Sequence, residues 1–174
     1  MSDADLRTYL GNKGRIIKYS ELDKYSSIDQ LLPKAIDSVI LLVEVNEENS
    51  GHWVCLLRDG KHIHFFDPYG KRPDKQLLWT KKQLRKGLGQ DEPHLSALLN
   101  RAKDDGMRVS FNEFAFQSEK DKSIATCGRH LVSRIKFHYE AHPNNSPKEY
   151  ARHMKALKDT HGLGYDLLVS KAFP

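Results

Sequence analysis

Four residues of this 174-residue chain could together carry out nucleophilic catalysis: His52, Asp67, Gln117 and Cys127. A thiol attacks as its thiolate, which a neighbouring cation or a helix dipole favours by lowering the pKa. Thr126-Cys127-Gly128 opens the strongest helical stretch of the C-terminal half, so Cys127 falls at a helix N-terminus. The 127/131/135 spacing turns it inward with Leu131 and Ile135, and Gly128 would let a substrate backbone come close. Taken alone, a free cysteine is more often a small buried hydrophobe, which is how mid-strand Cys55 reads. Gln117 lies where apolar Phe114-Ala-Phe116 gives way to the polar stretch Gln117–Ser123. Its amide could donate to a developing oxyanion beside the Cys127 backbone N–H; a lone loop glutamine is otherwise simply solvated.

His52 and Asp67 are brought together by a hairpin. Two apolar runs, His52 to Arg58 and Lys61 to Asp67, flank Asp59-Gly60, a dipeptide that favours a type I′ turn. With those two residues as the turn, Arg58 faces Lys61, Leu56 faces Ile63, Val54 faces Phe65 and His52 faces Asp67. Cys55 then lies opposite His64 on the other face. The His52/Asp67 face is otherwise apolar, so an imidazole and a carboxylate meet at the open end of a buried face. Such a carboxylate favours the imidazolium and fixes its tautomer, as a general base requires; a purely structural pair at a strand end is the alternative.

The remaining elements suit this arrangement. Short helical segments at Ser20-Glu-Leu-Asp and Ser27-Ile-Asp-Gln end at Pro33, and Ser38 to Asn46 is apolar almost throughout, as a strand covered on both faces should be. Pro68 ends the hairpin, and Tyr69-Gly70-Lys-Arg-Pro73 reads as a loop. Helices are expected over about 74–86 and 93–105, parted by Gly87-Leu-Gly89, and a short strand over Met107 to Phe111. The Cys127 helix places Leu131, Val132, Ile135 and Tyr139 on one stripe and stops before Pro143. Ser146-Pro-Lys-Glu149 reads as a capping box opening a last helix to about Asp159. The tail, Tyr165 to Phe173, is too short to assign. The order predicts one α+β domain over 1–174, with a mostly antiparallel central sheet flanked by helices.

At 39% hydrophobic, 29% charged and net +5, the composition is that of an ordinary globular chain and excludes collagen-like or disordered classes. The longest apolar run, Val39 to Val43, is far too short to span a bilayer, so no membrane partner is expected. MSDADLRTYL lacks a basic segment followed by an apolar one, and two cysteines make no disulfide framework, which points to a reducing compartment rather than secretion. Zinc is one rival for the hairpin, where His52, Cys55, His62 and His64 crowd together. The register parts His52 from the other three and no CxxC or HExxH spacing is present, so no metal site is assigned. A second rival is a nucleic-acid-binding domain without catalysis. Lys71, Arg72, Lys75, Lys81, Lys82, Arg85 and Lys86, against Asp74 alone, give residues 71–86 a charge of +6 and make them the candidate nucleic-acid contact. A solvated helix face is the plain alternative.

In combination, Gly51-His52-Trp53, then Phe65-Phe66-Asp67-Pro68-Tyr69-Gly70, then Gln117, then Thr126-Cys127-Gly128 resembles the adenovirus-protease (adenain) branch of the papain-like cysteine proteases, in the clan of the SUMO and other ubiquitin-like-protein proteases. The likeness spans roughly residues 38–140. It implies Cys127 as nucleophile, His52 as general base, Asp67 orienting His52, Gln117 as oxyanion donor, and Trp53 and Gly128 as neighbours of the site. The chain departs from the pattern in the nine residues between Gln117 and Cys127 and in Arg129-His130 after Cys-Gly, where an apolar or aromatic pair is usual. Its compact size is similar to that of viral maturation proteases. The resemblance therefore implies an endopeptidase acting on viral structural proteins in the virion and host cytoplasm. It would act as a monomer, with no required cofactor and with DNA or a peptide as a conceivable activator. An isopeptidase acting on a ubiquitin-like protein would use the same site.

Overall fold

The computed structural model describes residues 1–34, 36–119 and 125–174. Among them five strands form one sheet in the order β1-β2-β3-β4-β5. β2 (Ser38–Glu47), β3 (Ser50–Asp59) and β4 (His62–Phe66) are antiparallel neighbours, and the short edge strands β1 (Arg15–Lys18) and β5 (Arg108–Phe111) join in parallel. The longer pairings are thus antiparallel, as expected. The parallel edges were not: β1 is four residues without alternation and gave no sequence signal.

The hairpin register is a correction. Asp59 pairs with His62, Arg58 with Ile63, Leu56 with Phe65 and Cys55 with Phe66, so the loop is Gly60-Lys61 and not Asp59-Gly60. Gly60 alone takes a positive φ, 57°, at the first central position, where a type II′ turn uses glycine. The expected register would have set Arg58 opposite Lys61, two cations face to face; instead the Arg58 guanidinium is buried on the Leu32 carbonyl and Asp29. The slip is two residues, and the side-chain period of a strand is two, so every residue keeps its face. Val54, Leu56, Ile63 and Phe65 pack with Leu41, Leu95 and Leu99 in one core, while Trp53, Cys55, Leu57 and Phe66 pack with Leu131, Val132 and Ile135 in the other.

Helices cover both faces. α4 (His94–Asp104) buries Leu95, Leu98, Leu99 and Ala102 on the first. On the second lie α1 (Asp3–Leu10), α5 (Cys127–Glu140), α6 (Pro147–His161) and α7 (Tyr165–Ala172). Ser146 caps α6 by accepting from the Glu149 N–H at 3.2 Å, with Pro147 at the first helical position. The helix expected over 74–86 is broken into a 3-10 turn, Lys75–Trp79, and the short α3, Lys82–Gly87. Ser20-Glu-Leu-Asp lies in a 3-10 turn, Tyr19–Lys24, and the segment at Ser27 is α2, Ile28–Leu31. Besides its apolar stripe, α5 buries His130, Arg134 and His138, each one turn from the next. No described helix is long and apolar enough to cross a membrane.

Candidate active site

Three of the residues singled out from the sequence, His52, Asp67 and Cys127, meet at one end of β3. There the antiparallel ladder is irregular between Glu44 and Glu47 of β2. Gly51 runs so close to the Val43 carbonyl that a Cβ would sit 2.0 Å from the oxygen, so glycine before His52 is a steric requirement. His52 and Asp67 were expected to be directly opposed; instead they meet diagonally across the slipped register, with His52 Nε2 2.7 Å from Asp67 Oδ1. The diagonal is short enough for an imidazole to bridge.

Asp67 is fully buried and saturated with donors. Besides His52 it accepts from the Tyr69 N–H at 2.9 Å and from Gln76 Nε2 at 2.6 Å. Its backbone is clamped by Asn112, whose Oδ1 accepts from Asp67 N–H at 3.0 Å and whose Nδ2 donates to the Asp67 carbonyl at 2.6 Å. The Asp67-Pro68-Tyr69-Gly70 segment closes as a turn through Gly70 N–H to the Asp67 carbonyl, 2.8 Å. Gly70, at φ 69°, lies against the backbone of Phe114 and Ala115. The Pro68 carbonyl accepts from the backbone N–H groups of both Phe116 and Gln117, at 2.8 and 3.0 Å. One turn therefore sets both the carboxylate behind His52 and the segment carrying Gln117.

Cys127 is the first residue of α5 and is partly buried against the Trp53 core. Burial would raise its pKa, but a hydrogen bond to His52, the imidazolium charge and the backbone N–H groups of Trp53 and Gly128 outweigh burial and bring it below the ordinary thiol value. His52 moves the other way. Burial disfavours its charged form, yet Asp67 and then Cys127 raise it from 6.5 to about 9. With Nε2 held by Asp67, Nδ1 is the nitrogen left for the thiol. Buried Cys55, by contrast, is pushed up to about 12 by desolvation.

Two recesses meet at this pair. One, about 760 Å³, is lined by Cys127, Trp53, Gly51, Ser50 and the N-terminal residues Met1 to Ala4. The other, about 590 Å³, is lined by His52, Gly51, Ser50, Tyr69, Trp79 and Glu119. Trp53 donates its indole N–H to the Met1 carbonyl at 3.1 Å. The space expected to be left open at Gly128 is taken by the Met1 side chain. Tyr69 stacks on His52 at 4.9 Å and Trp79 meets it edge-on at 5.1 Å. Trp79, Gln76 and Met1 were not found from sequence; Leu78-Trp79 inside a basic helical stretch was the only visible signal for the second aromatic.

Gln117 is buried, and its neighbour Ser118 donates its backbone N–H to Asp166 Oδ2 at 3.1 Å. Residues 120–124, which include the end of the polar stretch Gln117–Ser123, lie outside the described residues. Asp166 Oδ1 also accepts from the Thr126 hydroxyl and lies 3.0 Å from His130 Nε2. The second imidazole after the cysteine thus has a carboxylate partner. Burial holds His130 below its ordinary pKa despite that partner.

Of the basic set, Lys71 pairs with Glu119 at 2.6 Å and Arg72 with Glu113 at 3.5 Å. Lys75, Lys81, Lys82 and Lys86 are exposed without an ion pair among the described residues, and Arg85 is half-buried on α3. Among those residues no group of three His, Cys, Asp or Glu side chains is placed to hold a metal; His62 and His64 instead share the Ser110 hydroxyl, at 3.0 and 2.7 Å.

No family model matches the chain. It is 37% identical over 136 residues to the uncharacterized protein V9 of the Sputnik virophage, covering 78% of this chain and 74% of that protein. This chain belongs to the same family. Among solved structures it is similar to the SUMO protease Ulp1 with its catalytic cysteine oxidized to a sulfenic acid, at a TM-score of 0.43 and 12% identity, over all of this chain and 79% of that one.

Proposed function

We propose that this virophage-family protein is a cysteine endopeptidase of the adenain type that processes viral capsid or core precursors. The observation that carries it is the buried Asp67–His52 pair, 2.7 Å apart, with His52 hydrogen-bonded to the Cys127 thiol at the start of α5. Cys127 thiolate attacks the scissile carbonyl, and the backbone N–H of Cys127 with the Gln117 amide receives the oxyanion. His52 protonates the leaving amine, then takes a proton from water as the thioester is hydrolysed. Asp67 keeps the ring oriented and stabilises the imidazolium. The aromatic recess beside His52 and the recess beside Cys127 give an extended substrate a surface on each side of the reacting atoms. The virophage relative supports the viral setting. The exposed lysines around α3 are proposed to contact DNA as an activating surface.

The test is hydrolysis of the co-expressed capsid and core proteins of the source virus by the purified chain. Cleavage lost in both Cys127→Ala and His52→Ala is expected. Full cleavage by either variant would sink the proposal.

A further inference from the structure

The deeper-lying feature of this site is a carboxylate that touches neither the thiol nor His52. Asp166, on the short C-terminal helix α7, has three partners on two separate segments: the Ser118 N–H next to Gln117, the Thr126 hydroxyl next to Cys127, and His130 Nε2 one turn into α5. The segments it joins are not neighbours in the sheet. Aromatic packing holds the same junction independently. Tyr165 meets Phe114 and Phe116 edge-on, each at 5.5 Å, and Phe116 continues to Tyr150 at 5.1 Å. His130 is fully buried with Nδ1 unpartnered among the described residues, so its Nε2–H is committed to Asp166. Asp166 itself is kept ionised. Burial opposes this, but His130, Thr126 and Ser118 together hold its carboxyl below the usual carboxylate range.

We propose that Asp166 is a positioning residue that fixes the Gln117 segment against the N-terminal turn of α5, so that the two oxyanion donors are aimed at one point. This rests on the cysteine-peptidase reading. Preorganised donors matter when negative charge develops on oxygen, and not when a thiolate displaces a halide. The two reactions can therefore be separated on the same sulfur.

The experiment compares two probes on the full chain. Iodoacetamide alkylates Cys127 by displacing iodide at a saturated carbon, which needs the thiolate alone. p-Nitrophenyl acetate acylates it: the thiolate adds to the carbonyl, an oxyanion forms, p-nitrophenolate leaves with its electron pair and the acetyl group stays as a thioester. In Asp166→Asn, alkylation of Cys127 is expected to stay within about twofold of wild type while acylation falls about 10- to 100-fold, somewhat less than deletion of a donor costs. Thr126→Val should show the same split more weakly, and Thr126→Ser, which keeps the hydroxyl, should recover. If Asp166→Asn does not fold, the Thr126 pair decides. Acylation at the wild-type rate in both Asp166→Asn and Thr126→Val, or an equal fall with both probes, would overturn the proposal. Cys127→Ala acylating as wild type does would instead overturn the peptidase reading, and the clamp with it.

Discussion

Replacing Asp67 with Asn tests the electrostatic core of the site. The carboxylate is wholly buried, and the His52 ring beside it is almost so, so little water screens the pair. Without that charge, burial is opposed by Cys127 alone, and the imidazole should fall from about 9 towards its ordinary 6.5. At 1.36 kcal/mol per pH unit a full return to 6.5 would be about 3 kcal/mol, a factor of about 300 in the balance between thiolate–imidazolium and thiol–imidazole. The substitution also puts an amide against Gln76 Nε2, which can answer by turning its own amide over. The assay is the rate of iodoacetamide labelling of Cys127 from pH 5 to 10, with sites assigned by mass spectrometry. In the wild-type protein labelling should begin well below the ordinary thiol range. It should reach its plateau as the thiolate forms, and peptidase turnover should fall again as His52 loses its proton near pH 9. Asp67→Asn should move the labelling midpoint upward and lower the rate at pH 6 by on the order of 100-fold. Cys55, buried and pushed up to about 12, reports on the fold: it should remain unlabelled in both proteins. A wild-type midpoint in Asp67→Asn with Cys55 still protected would refute the assignment of His52's charge to Asp67.

Trp79→Ala should open the recess beside His52 and lower kcat/KM on a peptide substrate by about three- to tenfold, the worth of one aromatic contact; unchanged kinetics would remove Trp79 from the substrate surface. Burial, with the tilted His62 ring 3.9 Å away, drives His64 down to about 3. A depressed histidine stays neutral when folded but protonates when unfolded, so stability is lost as pH falls below 6.5 towards 3. His64→Gln should therefore reduce the fall in urea-unfolding stability between pH 6.5 and 4.5 by about 2 kcal/mol, the share of the wild-type histidine; equal slopes would place the acid sensitivity elsewhere. The triple variant Lys81→Glu, Lys82→Glu, Lys86→Glu should reduce the slope of log K against log salt for duplex DNA by about two to three, measured by fluorescence anisotropy. An unchanged slope would move the contact off α3.

The parts of this molecule that were legible in the sequence are those with a strong local period. The two faces of the β3–β4 hairpin follow from alternation alone, which is why a register wrong by two residues still placed Val54 and Phe65 in one core and Trp53 and Phe66 in the other. The α5 stripe and the Ser146 cap were equally readable. What escaped was non-local. β1 is four residues paired in parallel with a strand more than twenty positions away, and nothing in Arg15-Ile-Ile-Lys18 announces it. The Asp67 turn shows its purpose only once the Pro68 carbonyl is seen to hold the Gln117 segment. Asp166 looked like one acid in an unassignable tail; Gly164 followed by an acidic first turn and Leu167-Leu168-Val169 was the available hint of α7.

The placement of that carboxylate also orders events in time. Synthesis proceeds from the N-terminus, and the segments around Ser118 and Thr126 cannot be tied together until residue 166 has been made and α7 has packed. Cys127 is made 39 residues earlier, and His52 and Asp67 earlier still. Under the proposed mechanism the nascent chain would hold His52, Asp67 and Cys127 before its oxyanion site is tied together, and would become competent only as α7 docks.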